Sequence, residues 1–341
     1  MMKGASRRRL RTAAVVAVLA AMLAAGVLLD LTWATFKVTV SDVIDVALGN
    51  GTWAKSILVE DNAQRVVIGG FVGAGLAVCG CAMQAVFRNP MASPYLLGLS
   101  SGASLGASIG LLFTIPLVPA AIATPLLAFV TCFLTMLLVW GVSHVGGSTR
   151  TETLLLTGIA VSSMMSAVVS FLTFIAGEKT EDIVFWSMGS LSRAGWNEIS
   201  VVAPLVLVGI LIIFSYGKDL NAMMLGDAHA MDLGIEVGRT RFRILAASTL
   251  VTAAAVAFVG AIGFVGLIIP HIFRILLGPD NRVLIPVSAF GGAAFLILCD
   301  WLTRTVAPEF GVLPIGVLTA LVGAPYFLYL LRRRRNEVGW S

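Results

Sequence analysis

Five ionisable residues fall within or at the edges of long apolar runs: Arg65, His271, Arg274, Asp300 and Arg304. A charge at the centre of a bilayer costs roughly 2.5–3.5 kcal/mol on insertion scales, so each of these needs a partner or a role. Asp300 and Arg304 stand four residues apart and can pair on one helix face. Read as chemistry, Asp300 and His271 could carry protons. Read as structure, the Asp300–Arg304 pair anchors a helix end, which is the usual remedy for the cost. Other chemistry is missing from the sequence. There is no phosphate-cradling G-x-x-x-x-G-K-[ST], no H-E-x-x-H and no nucleophile elbow. No catalytic residue, metal site or cofactor is expected, and energy for any work must come from a partner or an ion gradient. The four cysteines, Cys79, Cys81, Cys132 and Cys299, lie in apolar runs away from any His cluster and read as packing residues.

Three further spacings carry possible function. Gly98, Gly102, Gly106 and Gly110 recur every four residues behind Asn89-Pro90. On a helix they form a bare face that a neighbour can approach closely, and static packing is the commoner use of such a face. Ser162, Ser166 and Ser170 also recur every four residues. They can line a polar pathway or bond back to their own carbonyls. The segment 218–243 is too long for a turn. Gly226 can end one short helix, Asp227 can cap the next and Gly234 can end that one. Met223, Met224, Met231 and Leu233 on these helices suggest either a docking surface or a helix lying on the membrane.

These residues need an apolar scaffold, and the composition supplies one. Hydrophobic residues make up 58% of the 341 residues, mean hydropathy is +0.96 and only 12% are charged, about half the share of a soluble domain. Stretches free of Asp, Glu, Lys and Arg cover 12–29, 66–87, 89–149, 153–177, 199–217, 244–273, 283–299 and 310–331. A spanning helix needs about 20 apolar residues. The stretch 89–149 holds two, divided at Pro116 and Pro119, and 244–273 holds one helix, a Gly-rich break and the start of another. The fold expected is an all-α integral membrane bundle of about ten transmembrane helices, a single transmembrane domain over 1–341. Lys3, Arg7, Arg8, Arg9 and Arg11 at one end, and four arginines from Arg332 at the other, place both termini in the cytoplasm. They are membrane anchors and not a nucleic-acid footprint. Segments 30–61 and 178–198 then lie outside, and 218–243 inside with two short cytoplasmic helices. The first span is expected to be a retained helix and not a cleaved signal.

At these motifs the sequence resembles the FecCD-type (type II) ABC importer permeases for iron–siderophore, haem and cobalamin. The resemblance rests on Q-A-V-F-R-N-P-M-A-S-P-Y-L-L-G-L-S-S-G-A-S-L-G from Gln84, F-W-S-M-G-S-L from Phe185, A-I-G-F-V-G-L-I-I-P-H-I-F-R from Ala261 and L-P-I-G-V-L-T-A-L-V-G-A-P-Y-F from Leu313, and it covers roughly 10–335. It implies ten helices with cytoplasmic termini, a second permease subunit (a homodimer), two cytoplasmic ATPase subunits, an extracytoplasmic substrate-binding protein, and the cytoplasmic membrane as location. It implies that Leu225, Gly226, Asp227, Met231, Leu233 and Gly234 couple to the ATPase. It implies that Arg65 and Arg304 meet acidic residues of the binding protein. Asn89, Gly98, Gly102, Gly106, Ser162, Ser166, Ser170 and Thr151 are the expected pathway or gate residues. Two departures stand out: Asn62 replaces a second basic residue, and Arg150 and Glu152 sit in the expected gate at 148–153. The cargo implied first is an iron chelate; cobalamin, haem and molybdate or tungstate remain open. The competing class is an ion-coupled secondary transporter, for which the segment 218–243 would be superfluous.

Overall fold

The computed structural model describes residues 2–33, 38–116, 118–145, 148–193, 195–306, 309 and 311–335. The side chains of Lys3, Arg7, Arg8, Arg9, Arg333, Arg334 and Arg335, which carried part of the charge argument, lie outside the described residues.

The described chain is almost wholly helical. In order come α1 (Met2–Thr32), α2 (Val40–Ala47), α3 (Trp53–Val86), α4 (Leu99–Leu112), α5 (Ala120–Ser143), α6 (Thr151–Ile175), α7 (Thr180–Met188) and α8 (Trp196–Ser215). Then follow α9 (Gly217–Met224), α10 (Asp227–Asp232), α11 (Val237–Val259), α12 (Val265–Leu277), α13 (Asn281–Thr305) and α14 (Ile315–Arg335). The only strands among the described residues are two two-residue pieces, β1 (His144–Val145) and β2 (Ser148–Thr149), paired antiparallel ahead of α6.

Among the described residues, seven helices are long and apolar enough to cross a membrane: α1, α3, α5, α6, α8, α11 and α13. Three more, α4, α12 and the apolar part of α14, are apolar but shorter. Each of the ten expected segments therefore holds an apolar helix, but the three short ones are not full spans by length.

α3 begins at Trp53, well before the charge-free run that starts at residue 66. Its 34 residues make a rod of about 50 Å. Hydropathy alone missed the first turns because Lys55, Glu60, Asp61 and Arg65 interrupt the apolar run there. Helices α3 and α11 form the buried centre, while α1 and α6 expose most of their surface. Glycine sets the closest crossings. A side chain at Gly73 would strike the Gly292 backbone of α13, and one at Gly80 would strike the Gly266 backbone of α12. Without a hydrophobic drive between helices in lipid, such backbone approach supplies the packing. All four cysteines are free and buried, as their apolar setting predicts.

Candidate functional site

The two short helices of segment 218–243 are present, and polar contacts fix them to the bundle. The Asn221 side-chain amide donates to Asp280 Oδ1 (2.8 Å), and Asn221 Oδ1 accepts from the Asn281 backbone N–H (2.8 Å) at the start of α13. Leu220, Met223 and Ala230 are buried beneath them. Gly226 links the pair with φ 123°, a region closed to most side chains. Gly234, at φ 82°, ends α10, where the Ile235 N–H donates to the Ala230 carbonyl (3.1 Å). What remains outward is Leu225, Met231 and Leu233, exposed by 72%, 58% and 61%.

Two details differ from expectation. Met223 is buried and Met224 half-buried, its Sδ accepting from Arg274 Nη1 and Asn281 Nδ2 (3.3 Å each). Both methionines fasten the segment and do not present it. Asp227 makes no capping bond; it pairs with Arg241 Nη2 (2.8 Å) and faces Arg88 (3.9 Å). Two neighbouring guanidinium groups draw the carboxylate away from the orphan N–H groups.

A second constellation surrounds the break between α11 and α12. Residues 260–264 leave the helical path, with Gly260 at φ 75° and Phe264 at φ 67°. Non-helical backbone at membrane depth must be satisfied by protein or line a cavity, and here both occur. Tyr95 Oη donates to the Ile262 carbonyl (2.7 Å) and accepts from the Ile262 N–H (3.3 Å). The Ser190 N–H donates to the Val259 carbonyl (2.7 Å), and the Ile315 N–H to the Gly189 carbonyl (3.1 Å). The Phe264 ring lies where a side chain at Gly323 would have to go, and Gly316 lies against the carbonyls of Met188 and Ala261. Beside this knot is a cavity of about 550 Å³, walled by Ser187, Met188, Ala261, Val317, Ala320 and Leu321 among others. Tyr95, Gly316 and Gly323 were not singled out from the sequence. The seven-residue spacing of the two glycines, two turns of one helix face, was the available signal.

The third constellation gathers charged residues of α1, α3 and α13. Arg65 and Arg304 do not present charge at a surface: both are buried. Arg65 holds Asp300 with two parallel bonds, Nε to Oδ2 (2.9 Å) and Nη2 to Oδ1 (2.8 Å). Arg304 pairs with Asp30 of α1, with Asn62 Oδ1 (2.6 Å) and with Asp300 (3.2 Å). The expected Asp300–Arg304 pair is there, but inside a larger cluster. The reason is the early start of α3, which puts Arg65 in its fourth turn and turns it toward α13. Asn62, the position that departs from the family pattern, is an acceptor in this cluster and also donates to the Leu31 carbonyl (3.1 Å).

The glycine stripe packs, while the serine stripe is half-buried at Ser162 and exposed at Ser166 and Ser170. Gly102 and Gly106 lie against Thr131 and Thr135 of α5, and Gly110 against Thr124. Gly98 stands outside the stripe as the left-handed residue (φ 77°) that starts α4, near Ser162 Oγ and the Gly158 carbonyl. Ser166 Oγ meets Ser101 Oγ (3.3 Å), while Ser170 bonds back to the Ser166 carbonyl (2.9 Å). Asn89 is a turn residue, its Oδ1 accepting from the Met91 N–H (3.0 Å). Thr151 is buried in the first turn of α6, directly after the β1–β2 ladder.

Comparison with known proteins fits this architecture. Over 302 residues the chain is 42% identical to the cobalamin import system permease protein BtuC of Halobacterium salinarum, covering 87% of this chain and 79% of that one. It is 40% identical over 277 residues to the hemin transport system permease protein HmuU of Yersinia pestis, covering 80% and 82%. A solved inward-facing conformation of a metal-chelate type ABC transporter superposes with a TM-score of 0.82 at 28% identity, covering 94% of this chain and 99% of that one. The model of the FecCD transport family matches residues 22–333, nearly everything from the first apolar helix to the last, and the chain belongs to that family of membrane permeases.

Proposed function

We propose that this chain is the non-catalytic, membrane-spanning half of an ATP-driven importer in the cytoplasmic membrane, and that it carries a metal already wrapped in an organic ligand. The observation that supports this most is the outward triad Leu225, Met231 and Leu233 on a segment locked by Asn221, Asp280 and the Asp227–Arg241 pair. A rigid mount with an apolar cap transmits a push from a partner; a simple turn needs neither. Two ATPase subunits, one per permease of a homodimer, dock there and drive ten helices between outward and inward access. Both termini face the cytoplasm and a binding protein delivers cargo from outside. Because Arg65 and Arg304 are buried, that protein meets other groups at the outer face.

The cavity wall supports the cargo class. Ser187 supplies its one side-chain hydroxyl, and the remainder is aliphatic, Met, Pro and Gly. Such a wall suits the organic periphery of a chelate, whose metal is coordinated before it arrives. The relatives named for cobalamin and hemin, and the structural relative of metal-chelate type, point the same way. An iron chelate, haem or a corrinoid fits this description. A proton-coupled carrier fits less well, because Asp300 is fixed between two guanidinium groups.

The test is uptake into proteoliposomes holding the chain with its ATPase and binding protein, using ferric siderophore, hemin and cobalamin in parallel. ATP-dependent uptake of one of them, abolished by Met231→Arg, is the expected result. Uptake that follows a proton gradient without ATP would overturn the proposal.

A further inference from the structure

Helix α2 has no buried residue, yet a full capping box holds it. Its surface divides into three sectors. Val43 and Val46 are half-buried, on the side from which α2 meets α1 and α3. Asp45 and Ser41 are exposed and polar. Between them runs a strip of Val40, Ile44 and Leu48, spaced by four and exposed by 53%, 52% and 69%. A strip of this kind beside a packed sector needs a cover.

Its depth is fixed by α3. That helix starts just after α2 and ends next to the segment at Gly226, where Arg88 lies close. A rod of about 50 Å compares with 40–45 Å for a bilayer including its headgroups, so α2 sits at headgroup level on the face opposite the docking segment. Tryptophans mark the same level. Trp196 Nε1 donates to Glu60 Oε1 (2.9 Å) in the second turn of α3, and Trp301 Nε1 donates to the Trp33 carbonyl (2.8 Å) at the end of α1. Trp53, 81% exposed, opens α3. Trp is enriched at membrane–water boundaries because one end of the ring wants lipid and the other water.

We infer that α2 is an in-plane membrane anchor, with its Val40–Ile44–Leu48 strip and Trp53 seated among the lipid headgroups and upper acyl chains of the leaflet opposite the coupling segment. The strip continues the lipid-facing surface of α1 and α3, where Leu28 and Ile57 are exposed. The inference rests on the chain spanning a membrane and on nothing about its cargo. Asp42 and Asp45 give the polar flank the charge that keeps the helix at the surface.

The experiment uses the assembled transporter in phosphatidylcholine vesicles, with spin labels at Val40→Cys, Ile44→Cys, Asp45→Cys and Leu48→Cys in turn. The four native cysteines are buried and give little background. Collision with oxygen, which partitions into lipid, is expected to exceed collision with a water-soluble nickel chelate several-fold at 40, 44 and 48, and the order should reverse at 45. As a second reading that leaves the helix intact, the fluorescence lost in Trp53→Phe should be the part quenched by brominated phosphatidylcholine and not by iodide. Nickel-dominated collision at all four positions would overturn the inference. So would shielding of Ile44→Cys that appears only when the external binding protein is added, since α2 would then be a protein-docking surface. Either result leaves uptake of cargo unaffected, so its failure is separate from failure of the transport reading.

Discussion

Arg65 and Asp300 stand 235 positions apart and are joined by two parallel bonds between a guanidinium and a carboxylate. The i,i+4 spacing revealed the Asp300–Arg304 pair, because helix geometry is local. Nothing local could reveal Arg65 as its third member or Asp30 as its fourth. The cluster joins α1, α3 and α13 and is neutral in sum, two arginines against two aspartates. Removing one partner of a buried pair leaves an uncompensated charge, typically at a cost of about 3–5 kcal/mol. Arg65→Ala is therefore expected to lower the melting temperature of the detergent-solubilised protein sharply. The Arg65→Ala/Asp300→Ala double variant should recover most of the loss, because Arg304 keeps Asp30 and no charge is stranded. Simple addition of the two single losses would show that the cluster is not coupled. At the break, Tyr95→Phe removes only the hydroxyl that serves both backbone groups of Ile262, a loss on the order of 1 kcal/mol. Folding and ATPase association should survive while uptake per ATP hydrolysed falls, since the residue fixes non-helical backbone beside the cavity. An unchanged ratio of uptake to hydrolysis would make Tyr95 a packing residue only.

The short elements were legible where punctuation is strong and illegible where burial decides. Gly226 and Gly234 announced the two helices of segment 218–243, and both have the positive φ that this requires. Which methionines face out did not follow from the pattern, because Met223 is buried in the core and Met224 answers to side chains on α12 and α13. Met231→Arg and Leu233→Arg place charge on the exposed cap without disturbing the mount. Each is expected to reduce ATPase co-purification at least severalfold while leaving folding stability within about half a kcal/mol of the parent, as surface changes usually do. Gly234→Leu should lose both, since its left-handed conformation costs a side chain roughly 1–2 kcal/mol. At the other face, Lys55 and then Thr39 bond the Asp42 carboxylate and hold it down to about 2. A carboxyl held below its unfolded value stabilises its fold above that value and loses the contribution as pH falls through the folded one. The α2 cap should therefore stay intact from neutrality to near pH 4 and fail only toward pH 2. Spin-label mobility at Ile44→Cys across that range measures it, and loss of order already at pH 5 would contradict the assignment.

At the scale of the molecule, the charge-free runs located all ten apolar helices, but hydropathy could not tell a span from a half-span. α4 and α12 have 14 and 13 residues, about 20 Å each against a hydrocarbon core of about 30 Å. Each lies beside backbone that leaves the α-helical path: residues 89–98, with one 3-10 turn at Pro94–Leu97, before α4, and the break at 260–264 before α12. The depth that the short helices do not cover is filled by these segments, which meet at the Tyr95–Ile262 bonds. The orientation of the bundle follows from α3, which connects α2 to the neighbourhood of Arg88 and Gly226 and so sets the two short-helix groups on opposite faces. The basic residues that end α14, of which Arg332 is exposed, belong with the Arg88 face if both termini are cytoplasmic. Single cysteines at Asp45, Asp232 and Arg332 test this in intact cells, against a background of buried native thiols. A membrane-impermeant maleimide should modify Asp45→Cys at once. It should modify Asp232→Cys and Arg332→Cys only after the membrane is opened. Labelling of Asp232→Cys from outside would invert the bundle and remove the ATPase from its proposed seat. Labelling of Arg332→Cys alone from outside would instead make the span count odd, and the most economical cause would be that one of the three short helices re-enters the face it left.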